Sequence, residues 1–314
     1  METREMRTVF INTLIETGKR DERILLIDAD LGKAGATASF AQTFPERHIN
    51  VGVAEANMIG VAAGLASVGK IPVAQTFGCF ASRRVFDQFF ISVSYAHLPV
   101  KLVGTDPGIS AAFNGGTHMP FEDLGTMRLI PGITIVEPSD PVSLAALLPQ
   151  ILAEDKPAYI RLHRKPLPVL YNETEQFQIG KSKILHQGGA GSVLLIALGG
   201  IMVNEALEAA KALEAQGIPA TVLDALSLKP LDAEGILSAM KQARAVLTCE
   251  NHQVHGALGS AVAELMAEYR IALPFCRIGI KDEFGQVGTE QWLKLHYKLD
   301  SGSIVEAVTT LLKG

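Results

Sequence analysis

An α/β fold built on two parallel sheets is predicted by three observations. Strand-length apolar runs alternate with helix-length amphipathic segments, the alternation stops and restarts once, and 314 residues are enough for two domains. With 48% of residues hydrophobic and 19% charged, the chain can fill two cores.

Taken in order, residues 9–18 read as a helix ended by Gly18. Ile24-Leu25-Leu26-Ile27 is a buried strand that runs into Asp28-Ala29-Asp30. Residues 57–67 form a helix of small residues, and 100–103 a strand. Ile133-Thr134-Ile135-Val136 is the next strand. The turn Glu137-Pro138-Ser139-Asp140 then caps a helix over 141–153, with Pro141 at its first position. Residues 158–162 close this first set. Between 165 and 191, prolines, polar residues and glycines break the pattern, apart from a short strand-like stretch around 177–185. The alternation resumes with strands at 192–198, 220–225 and 245–249 and helices at 203–216 and 258–269. The predicted division is a first domain over 1–165, a linker over 166–190 and a smaller domain over 191–314, with no internal repeat.

Charge and cysteine content exclude several classes. A net charge of -5 carries no electrostatic footprint for nucleic acid. Cys79, Cys249 and Cys276 are odd in number and far apart, so they suggest neither a disulfide framework nor a metal site. The charged residues 1–7 lack an apolar signal core, and runs such as 193–198 fall far short of the roughly 20 residues that cross a bilayer. A soluble, cytoplasmic protein without membrane or nucleic-acid partners is expected.

Four constellations could carry chemistry. The first is Glu55 in Asn50-Val51-Gly52-Val53-Ala54-Glu55-Ala56-Asn57. Read locally, it is a first-turn glutamate favoured by the helix dipole. Its glycine- and alanine-rich neighbours give it little polar company, and burying a lone carboxylate costs several kcal/mol unless it is paired or protonated. The second is Thr76-Phe77-Gly78-Cys79-Phe80, whose aromatics, three apart, could pack a flat ring or simply be core. The third is the glycine-rich loop 106–118, which holds Asn114 and His118 just after a strand, where ligands bind in open α/β sheets. The fourth is Glu250-Asn251-His252 followed by Gly256-Ala257-Leu258-Gly259: a helix start facing a ligand or partner, or ordinary capping. No Walker loop and no dinucleotide fingerprint is present, and Gly188-Gly189-Ala190-Gly191 precedes a strand rather than following one.

Taken together the segments resemble the C-terminal half of the transketolase family. The resemblance is carried by Asp28-Ala29-Asp30-Leu31, Asn50-Val51-Gly52-Val53-Ala54-Glu55 and Thr76-Phe77-Gly78-Cys79-Phe80. It continues through Gly116-Thr117-His118-Met119-Pro120-Phe121-Glu122-Asp123, Arg128-Leu129-Ile130-Pro131-Gly132 and Thr248-Cys249-Glu250-Asn251-His252. Each motif is weak alone; the ordered set spans nearly the whole chain.

The resemblance implies a pyrimidine-binding domain for thiamin diphosphate, followed by a transketolase C-terminal-type α/β domain. It places the cofactor-activating glutamate at Glu55, the pyrimidine's aromatic neighbours at Phe77 and Phe80, a substrate-contacting histidine at His118 and a phosphate-binding arginine at Arg164. Glu55 would favour the imino form of the pyrimidine, and a two-carbon unit would pass from a ketose to an aldose, phosphorylated or not. The Gly-Asp-Gly…Asn motif that ligates the cofactor's metal does not occur in this sequence. The resemblance therefore implies no metal ligand here. Mg2+ (or Ca2+ or Mn2+) and the diphosphate would be held by a separate N-terminal subunit, in an α2β2 assembly that is active only when complete.

Three positions depart from the family pattern: Arg83 where a third pocket aromatic is expected, Asn114 where an aspartate reads the donor's hydroxyl, and Thr105 near an expected histidine. They imply substrates other than the usual sugar phosphate pair. Two rival readings are a 2-oxoacid dehydrogenase beta subunit and a non-catalytic regulatory subunit of the same fold.

Overall fold

The computed structural model describes residues 2–313. Its strands are β1 (Thr3–Glu5), β2 (Ile24–Asp28), β3 (His48–Asn50), β4 (Ile71–Phe77), β5 (Lys101–Thr105), β6 (Thr134–Val136) and β7 (Ala158–Leu162) in the first half. There follow β8 (Pro166–Pro168), β9 (Lys183–His186), β10 (Ser192–Leu198), β11 (Ala220–Asp224), β12 (Ser227–Lys229), β13 (Ala243–Gln253) and β14 (Phe275–Ile280). The main sheet runs β12-β6-β7-β5-β4-β2-β3 and the second β14-β13-β10-β11-β9, with β1 and β8 forming a small antiparallel pair.

Period-two side-chain alternation explains the layers. Leu26, Val73, Val103 and Ile160 point to a core shared with the helices Met6–Gly18 and Pro141–Ala153. Ile27, Ala74, Leu102 and Tyr159 point the other way, onto the helix Glu55–Ser67. That second core runs on without a break into Leu194, Ile196, Leu223 and Val246 of the other sheet, so the two halves share packed surface. The third core, on the far face of the second sheet, gathers Val193, Leu195, Val222 and Leu247 under the helices Gly200–Glu214 and Ser301–Leu311.

The sheets are mixed rather than purely parallel. β12 lies antiparallel on β6, and β9 antiparallel on β11. Through β12 the second half of the chain closes the edge of the first half's sheet, and β1 pairs with β8 just past the last strand of that half.

Three helices begin earlier than their periodicity suggests: at Met6, Glu55 and Gly200 rather than at 9, 57 and 203. None of the three has a side chain capping its first turn, so sequence offers no start signal. The helix Pro141–Ala153 begins where expected because Asp140 accepts from the Ser143 amide while the Ser143 hydroxyl accepts from the Asp140 amide. β5 starts on Lys101, a charged residue hidden in a strand. Its ammonium donates to the Glu154 and Lys156 carbonyls, and burial pulls its pKa down to about 8. Among the described residues no helix is long and apolar enough to cross a membrane.

Candidate functional site

The predicted site residues converge at the carboxyl ends of β4, β5 and β7, where an open α/β sheet exposes loops. Phe77 closes β4, Gly78 opens the short helix Gly78–Ser82, and Phe80 sits on its first turn. The Phe77 and Phe80 rings are 6.0 Å apart. The His118 imidazole packs edge-on against both, at 5.9 and 5.3 Å, and shares a 2.9 Å hydrogen bond with the Thr117 hydroxyl. Phe80 and His118 border a concavity of about 420 Å³ that Cys79, Arg83, Arg84 and Thr117 complete. Burial pushes the Cys79 thiol up to about 11, so it is a protonated wall and not a nucleophile.

Glu55 is the first residue of its helix, yet it lies on the buried stripe with Met58, Ile59, Ala62, Ala63 and Ala66. An ordinary first-turn glutamate faces water; this one is 3% exposed. The expectation that it lacks polar company is corrected: Arg84 Nη1 donates to Glu55 Oε1 at 2.8 Å. The same guanidinium lies 3.9 Å over the Phe80 ring. Arg84 is thus the residue that sequence reading missed. Its signal was the i, i+4 spacing from Phe80, which stacks the two side chains along one face of a helical turn. Its neighbour Arg83, at the position expected to be aromatic, is held at the concavity's wall by the Thr117 carbonyl and Glu122.

Arg164 follows β7 and stands beside the aromatic pair, 5.6 Å over the Phe77 ring. Asp106 holds it, accepting from Nε at 3.1 Å. Asp106 adopts a left-handed φ of 57° just past β5, and its second carboxylate oxygen is buried without a partner. Burial raises its pKa against the pull of Arg164. Asn114 is exposed at the end of the turn Gly108–Asn114, four residues before His118. The structure therefore gathers Phe77, Phe80, His118, Arg164 and Glu55 around one corner of the sheet and leaves Asn114 on the rim.

The Glu250-Asn251-His252 motif is the capping alternative. The Glu250 carboxyl accepts from the Leu258 and Gly259 amides, both at 2.9 Å, at the start of the helix Leu258–Glu268. Asn251 ties down the loop after β5 through the Ile109 amide and the Pro107 carbonyl. Asn251 and His252 thus bond across the joint between the halves, His252 through the Gly125 amide. A larger concavity of about 510 Å³ lies beside β14, lined by Phe275, Tyr297 and residues of the helix Ser301–Leu311, and none of the predicted site residues borders it. Among the described residues no three His, Cys, Asp or Glu side chains are grouped as metal ligands.

The chain matches known families over most of its length. A model of the transketolase pyrimidine-binding domain covers residues 2–169, and one of the transketolase C-terminal domain covers 180–304. It is 48% identical over 307 residues to the 6-deoxy-6-sulfo-D-fructose transketolase subunit SqwH of Clostridium sp. (strain MSTE9), covering 98% of this chain and 94% of that protein. It is 32% identical over 307 residues to an apulose-4-phosphate transketolase subunit of Actinobacillus succinogenes, covering 98% of each. A solved structure described as a split gene transketolase, inactive beta4 tetramer, superposes with a TM-score of 0.90 at 40% identity, covering 98% of both chains.

Proposed function

The chain belongs to the transketolase family, and from that premise we propose that it is the C-terminal subunit of a two-chain, thiamin-diphosphate-dependent transketolase. The observation that carries the reading is Glu55: a buried carboxyl at a helix start, at the family's motif position, joined through the Arg84 guanidinium to the Phe80 ring. The site suits a flat nitrogen heterocycle, because Phe77 and Phe80 offer ring faces and Glu55 offers an oxygen for a ring nitrogen. When bound, the cofactor supplies a nucleophilic carbon that carries the two-carbon unit.

The chain's own residues do the rest. Glu55 exchanges a proton with the pyrimidine nitrogen through a carboxyl oxygen. Phe77 and Phe80 orient the ring and exclude water. His118, with one ring nitrogen on Thr117, keeps the other for a substrate hydroxyl. Arg164, steadied by Asp106, meets an anionic group on the sugar. Asn114, an amide at the rim, selects the hydroxyl pattern of the donor. The diphosphate and its divalent metal, Mg2+ or a relative, fall to an N-terminal partner chain in an α2β2 assembly. Two relatives described as transketolase subunits, matched along nearly their whole length, support that division. Their described substrates, a sulfonated sugar and a phosphorylated one, support an anionic sugar without choosing between the two. We place the protein in the cytoplasm.

Glu55→Gln tests the reading. With the partner subunit present, ketol transfer should fall about 100- to 10,000-fold, the usual cost of losing a general acid–base. The melting temperature should hold, since the unpaired Arg84 is 47% exposed and hydrates readily. Turnover near wild type would leave Glu55 a structural residue and remove the basis of the assignment.

A further inference from the structure

We propose that Arg84 is a placeholder for the cofactor's ring, resting on Glu55 and Phe80 and leaving both when the ring binds. The inference rests on the subunit reading above.

One planar group makes both contacts. The Arg84 guanidinium donates to Glu55 at 2.8 Å and covers Phe80 at 3.9 Å, a stacking separation. A guanidinium and an aminopyrimidine are both flat and edged with nitrogen, so the corner between a phenyl face and a carboxylate accepts either one. Among the described residues Glu55 is the only side-chain hydrogen-bond partner of Arg84. Arg83, beside it, is instead anchored to Thr117 and Glu122. Among the described residues the hydrogen bond and the ring contact that hold Arg84 are thus with the groups that the ring would use. Its side chain is 47% exposed, which leaves room to swing into solvent at the mouth of the concavity.

The arrangement has a physical purpose. A carboxylate buried as deeply as Glu55 is costly without a partner, and Arg84 provides one while the cofactor is absent. The ring then has to displace a cation, which weakens its apparent affinity by the strength of a half-exposed ion pair and a cation–π contact.

The test is calorimetric titration of thiamin diphosphate, with Mg2+, into this chain combined with its partner subunit. Arg84→Met keeps the apolar stem over Phe80 and removes the guanidinium; it should bind the cofactor about three- to tenfold more tightly than wild type. Arg84→Lys, which can still pair with Glu55 but cannot stack as a plane, should fall between the two and gives a reading even if the Met variant folds poorly. A crystal structure of the cofactor-bound complex should show the guanidinium away from both Glu55 and Phe80. Equal or weaker binding by both variants, or a bound structure with Arg84 still on Glu55, overturns the inference and leaves the subunit assignment standing. A wild-type complex that takes up no cofactor overturns both.

Discussion

At the scale of single residues, chemistry here follows from what a buried polar group is given as a partner. Glu55 has Arg84, Asp106 has Arg164, and Arg161, fully buried, has Asp123, Glu137 and the carbonyls of Pro120 and Asn251. His252 sits beside this last group. Its Nε2 accepts from the Gly125 amide at 3.2 Å and its Nδ1–H donates to the Gln253 carbonyl, so the ring must be neutral. Burial lowers its pKa to about 4, with Asp123 raising it and Arg161 lowering it further. The folded value is depressed, so the associated stability is present above the unfolded value of 6.5 and drains away as pH falls from there toward 4. One pH unit below the unfolded value the loss should be about 1 kcal/mol. Urea melts at pH values on either side of 6.5 should show that decline in wild type and a flatter profile in His252→Asn; parallel profiles would exclude His252 as the source. Histidine as a residue type was visible in sequence, but its neutrality was not, since that depends on Gly125, 127 positions away.

Among the elements, the helix Pro141–Ala153 shows local sequence at its most decisive. Asp140, Pro141 and Ser143 specify its first turn without outside help, and the predicted bounds match the observed ones. Asp140 does more than its motif reveals: its second oxygen accepts from the Leu170 and Tyr171 amides, fastening the chain after β8 to the same cap. Asp140→Ala should therefore cost more than a surface cap, about 2–4 kcal/mol, by orphaning buried amides in addition to losing the capping box. Asp140→Asn should recover part of this, because an amide oxygen still caps. Denaturant midpoints that place Ala and Asn equal would show that the cap alone matters. The helix Glu55–Ser67 is the opposite case. Its body over 57–67 was legible, but its start at Glu55 was not, because Ala54 offers no cap.

For the molecule as a whole, the two halves are stitched together. β12 completes the first sheet, a continuous apolar core crosses the boundary, and Asn251 reaches the loop after β5. The candidate site lies at the first half's sheet ends, with Arg83 and Arg84 in its lining, and on the proposed reading it takes one end of the cofactor. The chain by itself should therefore bind thiamin diphosphate poorly and transfer no ketol units, with both properties appearing on addition of the N-terminal subunit and Mg2+. Purified single chain with cofactor and Mg2+ that matched the two-chain mixture would refute this division of labour.

The sequence by itself determined the α/β class, the two sets of alternating elements, the capped helix and, through ordered motifs, the family. Those signals are local: periodicity, turn chemistry and short runs of residues in a given order. It also singled out Glu55, Phe77, Phe80, His118 and Arg164, which the fold brings to one corner of a sheet. Only the tertiary structure decided that Glu55 has an ion-pair partner, that β12 crosses between sheets, and that Asn251 and His252 bond across the joint. Such pairings join groups far apart in the chain, 29 positions for Arg84 with Glu55 and 127 for His252 with Gly125. Burial and hydrogen-bond partners exist only once the chain has closed on itself, and they set the charge and accessibility of every group at the site.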